Sequence, residues 1–171
     1  MALIERYHVV AAEREVALGE TIKEGQVVSL DAAGKVVLQS STHTAPYGIA
    51  GDTKTTSASS MPGIETGWQN RASDYFDETK ASAKMTVYHS GGEFATDQFS
   101  ANVASATIGD VLYANAGLLR TAAESTTSGA VGRLIQAAGT YPSGVPGVDI
   151  NGDQALGGEN GNSYIEIKLA I

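Results

Sequence analysis

The sequence has no cysteine. That excludes disulfide stapling, thiolate nucleophiles and zinc sites built on sulfur. Proline is scarce at 4 residues and aromatics make up 6%, so neither rigid polyproline stretches nor an aromatic-rich core is available. Cations are also in short supply: 11 Lys and Arg face 19 Asp and Glu, for a net charge of −8. Such a surface repels phosphate and anionic lipid, so neither nucleic acid nor membrane is an expected partner. No apolar run approaches the roughly 20 residues of a membrane-spanning helix. The opening Met-Ala-Leu-Ile-Glu-Arg-Tyr-His lacks the basic, apolar, small-residue order of a secretory signal. The expectation is a chain made in the cytoplasm that stays soluble.

Chemical motifs are missing too. There is no G-x-x-x-x-G-K-[ST] phosphate loop, no G-x-G-x-x-G, no G-x-S-x-G elbow and no H-E-x-x-H, which are the spacings that common phosphate, nucleophile and zinc chemistries require. His8, His43 and His89 are scattered, so no two of them form a ligand pair on one element. Two acidic stretches come closer. Asp74, Asp77 and Glu78 sit beside Trp68 and Tyr75, a combination that could flank a sugar, although a solvated acidic turn explains it more simply. Asp149, Asn151 and Asp153 alternate like the start of a calcium loop, but Gln154 stands where its glycine belongs and Glu159 falls one place short of the twelfth. No cofactor, metal site or catalytic residue is expected, and the chain is read as a non-enzyme.

What the chain does have is length for a real core, 42% hydrophobic residues and 20 glycines within 171 positions. Small side chains, β-branched runs and glycine punctuation favour short strands over helices. The runs are paired. Val27-Val28-Ser29-Leu30, the turn Asp31-Ala-Ala-Gly34 and Val36-Val37-Leu38 read as one hairpin. Val111-Leu112, Asn115-Ala116-Gly117 and Leu118-Leu119 read as a second. Gly34 and Gly117 stand where a tight turn asks for positive φ. The interval from Gly25 to Gly48 recurs between Gly109 and Gly132. Each copy then passes through an irregular insert to an alternating strand, "AKMTVYHSGGEF" in the first and "SYIEIKLAI" in the second. The expected fold is therefore all-β, a small barrel or sandwich of two pseudo-repeated hairpin units at about 21–99 and 107–171. Long glycine-rich loops accompany them, including an insert at 53–80.

Residues 1–20 stand apart. "ALIERYHVVAAEREVALGE" fits neither period cleanly: Ile4, Tyr7, Val10 and Ala11 suit a helix, while Val9, Val10 and Val16 suit a strand. It is read as an extended arm preceding a β domain at 21–171. Ile4, Tyr7, Val9 and Val10 are its candidate side chains for filling a partner's pockets, since strand addition couples main-chain bonds to alternate side-chain pockets.

"APYGIAGD", followed after an insert by "MTVYHSGGEF", resembles the glycine-isoleucine strand and the Thr-x-Tyr-x-Ser-Gly-x-Phe strand and turn of the lambda-type head decoration (cement) proteins of tailed bacteriophages. The resemblance covers about residues 25–99. Its departures are the longer insert at 53–80 and a second repeat that runs well past the family pattern. It implies a homotrimer on the outer surface of a virion capsid, with the major capsid protein as partner and the arm adding a strand to the capsid protein's sheet. A tail, adaptor or fibre-base component is the alternative, and a carbohydrate-binding β-domain using Trp68, Tyr75, Asp74 and Asp77 is a third reading.

Overall fold

The computed structural model describes residues 3–5, 10–56, 84–124, 128–140 and 163–171. The mainly-β expectation holds: among these residues the regular structure is 13 strands and one short 3-10 turn at Val103–Ser105. One sheet contains β2 (Val10–Glu15), β4 (Val27–Leu30), β5 (Val36–Leu38), β6 (Gly48–Ala50) and β8 (Lys84–Ser90), in the order β2-β8-β6-β4-β5. The other contains β1 (Leu3–Glu5), β9 (Glu93–Thr96), β10 (Val111–Asn115), β11 (Leu118–Arg120), β12 (Gly132–Thr140) and β13 (Ser163–Leu169), in the order β1-β9-β13-β12-β10-β11. A two-stranded ribbon joins β3 (Thr21–Ile22) to β7 (Lys54–Thr55).

Without β1, the two sheets have the same strand order, and their registers match residue for residue. Val28 faces Gly48 as Leu112 faces Gly132, and Ala50 faces Val87 as Leu134 faces Ile167. The connecting bonds repeat as well. Gly25 N–H donates to the Ala50 carbonyl at 2.8 Å, and Gly109 N–H to that of Leu134 at 2.7 Å. Tyr47 N–H donates to Val28 and Val131 N–H to Leu112, both at 2.8 Å. The Gln26 side chain accepts from Lys23 N–H at 2.8 Å, and Asp110 in its place accepts from Thr107 N–H at 2.9 Å. The doubled unit is thus a structural fact, and its limits lie earlier than the hairpins suggest. Strand β2 opens the first unit and β9 the second. Strand β9, which the hairpin pattern places at the tail of the first copy, belongs to the second: its partner β13 lies some seventy residues on, and nothing local announces the pairing.

Neither sheet closes, which corrects the barrel alternative. The two ends of each unit meet at a single parallel bridge, Val16 to Val36 in the first and Phe99 to Leu119 in the second. One bridge rolls the sheet without completing a ladder, and the result is two rolled, open sheets.

Each roll has its own core on equivalent positions. Val16, Val28, Val36, Ala50, Met85 and Val87 fill the first; Phe99, Leu112, Leu119, Leu134, Ile165 and Ile167 fill the second. The first unit also buries its opposite face. Val27 and Ile49 are fully buried and pack into the second unit's cluster, each contributing about 1.5–3 kcal/mol by removal from water. Their counterparts, Val111 and Arg133, are half-buried and exposed. The two units therefore join along one asymmetric seam.

Candidate partner-binding edges

The expected arm is, over the described residues, part of the sheets. Ile4 lies in β1, paired with Ala95 of β9, and Val10 lies in β2, paired with Ser90 of β8. Tyr7 and Val9 fall outside the described residues. The strand period prevailed because β8 supplies partners for the main-chain groups of Val10–Glu15, whereas a helix would have had to bury apolar residues on several sides.

The two units differ at this edge. In the second, Phe94, Ala95 and Thr96 of β9 are all buried, and β1 covers their outer side with Leu3 facing Thr96 and Glu5 facing Phe94. In the first, the equivalent strand β2 is the terminal strand of its sheet, and it carries exposed Glu13, Arg14 and Glu15. Charges on an edge strand discourage indiscriminate pairing with other edges. They act here against self-pairing as well: an antiparallel β2–β2 contact about a twofold axis keeps side-chain faces aligned, so centring it on residue 13 or 14 sets like charges opposite one another.

Beside that edge lies a polar rim. Arg14 Nε donates to Tyr47 Oη at 3.1 Å, and its guanidinium carbon lies 5.5 Å from the Tyr47 ring centre. The Tyr47 and His89 rings stack at 5.3 Å with 19° between their planes. Cation–π contact and stacking hold the three side chains as one surface array. At the equivalent places the second unit has buried Thr96, Val131 and Leu169, so the array is a departure of the first unit alone. Sequence reading missed it, because Arg14 and His89 lie in β2 and β8 and Tyr47 just before β6, far apart in the chain. It offers charge and flat rings for recognition.

The singled-out glycines fall into two classes. Gly25 (φ +87°), Gly34 (+76°), Gly109 (+99°) and Gly117 (+76°) occupy the left-handed region in turns. Gly48 and Gly132 lie inside β6 and β12. There, a Cβ would collide with the carbonyl oxygens of Tyr88 and Lys168 respectively. The duplicated interval between the turn and strand glycines therefore preserves a close approach of main chains.

Besides Lys35, raised by its hydrogen bond to Glu15 and by that carboxylate's charge, two titratable groups are shifted by their surroundings. Burial opposes charge on Glu124, yet hydrogen bonds from the Ser100 hydroxyl at 2.6 Å, from the Thr121 backbone and hydroxyl, and from Asn102 hold its carboxyl below the ordinary range. Arg120 reaches its other oxygen at 3.4 Å. Tyr164 is pushed up to about 12 by burial first, then by the nearby Asp97 and Glu24 carboxylates. Glu124 also lines a surface cavity of about 390 Å³ together with Ser100, Asn102, Leu118 and Arg120.

Among the described residues, no group of three or more His, Asp or Glu is placed to hold a metal ion. Trp68, Asp74, Tyr75, Asp77 and the Asp149–Asp153 stretch lie outside the described residues, as does most of the 53–80 insert. No described helix is long and apolar enough to cross a membrane. No protein-family model matches the sequence, and a search of curated proteins finds no relative.

Proposed function

We propose that the chain is a structural virion protein that binds the outer surface of an assembled tailed-phage capsid and stabilises it, in the manner of a decoration or cement protein. The observation that supports this most is the β2 edge, which no strand covers among the described residues. It is a six-residue strand whose counterpart in the other unit is already capped by an extended segment of the same chain. An edge of this kind gains main-chain hydrogen bonds from an added strand and selects it by side chains. Cross-strand neighbours share a face, so Arg14 favours an acid opposite it and Glu13 a base. The capsid segment that fits has an acidic and a basic residue side by side. A ligand that binds only the expanded shell stabilises that shell by mass action, and many copies add their effects.

The test is sedimentation with expanded, undecorated heads and, separately, with isolated tails. The intact chain is expected to pellet with heads. The exchanged pair Glu13→Arg with Arg14→Glu keeps net charge and leaves the core untouched, and it is expected to lose at least tenfold in affinity. Binding to tails alone would move the protein to the adaptor reading. Unchanged head binding by the exchanged pair would remove β2 as the contact.

A further inference from the structure

The repeat places an occupied socket in one unit and an open one in the other. The tip of the β10–β11 hairpin enters the first unit: Gly117 N–H donates to the Gln39 carbonyl at 2.9 Å, and Gly117 C=O accepts from Val27 N–H at 2.8 Å. Gly117 is buried against Leu38 and Gln26, closely enough that a Cβ would strike Leu38. A glycine backbone thus plugs a notch at the open end of the β4–β5 hairpin, wedged between Val27 and Gln39.

The matching registers locate the same notch in the second unit. Gln26, Val27, Ser29, Leu38, Gln39 and Ser40 correspond to Asp110, Val111, Tyr113, Thr121, Ala122 and Ala123. Those second-unit residues line a surface cavity of about 280 Å³. The corresponding plug is the tip of the β4–β5 hairpin. Gly34 has the same φ of +76° as Gly117, yet it is exposed and has nothing within 4 Å of where a Cβ would point. Ala32, Ala33 and Gly34 are small and uncharged. Lys35 follows them directly, and its ammonium is paired with Glu15 of the same copy at 2.8 Å.

We propose that the β4–β5 tip of one copy seats in the Asp110–Ala123 cavity of a second copy, so that the chain associates with itself head to tail. Plug and socket are different surfaces of the same chain, so the contact is heterologous, and copies joined this way close into a ring when the rotation between them permits. The inference takes from the capsid reading only the expectation of self-association. It holds for the free protein, with no capsid present.

The absence of cysteine makes the test clean. Ala33→Cys and Ala122→Cys change exposed positions and give each copy one thiol. A mixture of the two variants treated with a short bismaleimide is expected to yield covalent dimers, while each variant alone yields few. Analytical ultracentrifugation of the intact chain is expected to show a multiple of 17.6 kDa. Ala122→Trp, which fills the cavity, is expected to weaken association at least tenfold with an unchanged far-ultraviolet spectrum. A monomer at every concentration, an oligomer indifferent to Ala122→Trp, or equal cross-linking in single-variant samples would overturn the proposal. None of these results depends on head binding, so failure here and failure of the capsid reading are separate observations.

Discussion

At the residue scale, backbone conformation decides more than side-chain chemistry. Ala116 and Gly117 form the two-residue turn between Asn115 and Leu118, with φ of 53° and 76°, the positive-φ signature of a type I′ hairpin. Alanine tolerates that region poorly, at about 1–2 kcal/mol, whereas asparagine visits it readily. Ala116→Asn is therefore expected to stabilise the protein by about 1 kcal/mol, and Gly117→Ala to destabilise it by about 2–4 kcal/mol, because strained φ adds to overpacking against Leu38. Urea titrations of the two variants check both signs. Protons supply a second residue-scale outcome. Glu124 ionises in the folded chain below its ordinary 4.5, so its contribution is full above pH 4.5 and is lost as pH falls through the folded value. Ser100→Ala removes one of the bonds that hold the charge, and the acid-unfolding midpoint is expected to move to higher pH. Tyr164 has the opposite sign: it keeps its proton to about 12 while an unfolded tyrosine loses it near 10, so stability falls between those two values. An ultraviolet titration is expected to show a tyrosine among the seven that ionises late.

At the scale of elements, β1 and β2 answer one problem in two ways. Strand β9 has a buried edge and is covered by β1; β2 has a charged edge and, among the described residues, no covering strand. Deleting residues 2–5 is expected to leave the strand content of the circular dichroism spectrum in place. It should also make the protein associate non-specifically, as light scattering would record, because a bare apolar edge is a template for other chains. This division was only half legible in the sequence. The hairpins, their glycine turns and the two alternating strands could be read, since each is announced within a dozen residues by alternation and a turn signal. The segment 1–20 could not. Its ambiguous period was resolved by pairing with β8 and β9, which lie some eighty residues away. The Arg14–Tyr47–His89 array was illegible for the same reason: no local pattern connects three residues that a sheet brings together.

At the scale of the whole molecule, duplication set the architecture and divergence set the contacts. The repeated interval between glycines told of the doubling, but not of the seam, because Ile49 and Arg133 occupy one position twice and only packing shows which is inside. The difference has a measurable side. Ile49→Arg would place an unpaired charge where the first unit is fully buried, an expected loss of about 3–5 kcal/mol. Arg133→Ile, on the exposed equivalent, removes an exposed hydrogen bond to the Gly109 carbonyl at 3.0 Å and should cost no more than about 1 kcal/mol. Thermal melts of the pair compare them directly.

That single site also makes the two halves non-interchangeable. A gene carrying the second half twice would encode two modules with arginine where they must join, and they would drift apart. One carrying the first half twice would leave an isoleucine facing water at its free end. Each half supplies a face that the other lacks, and the seam takes one of each.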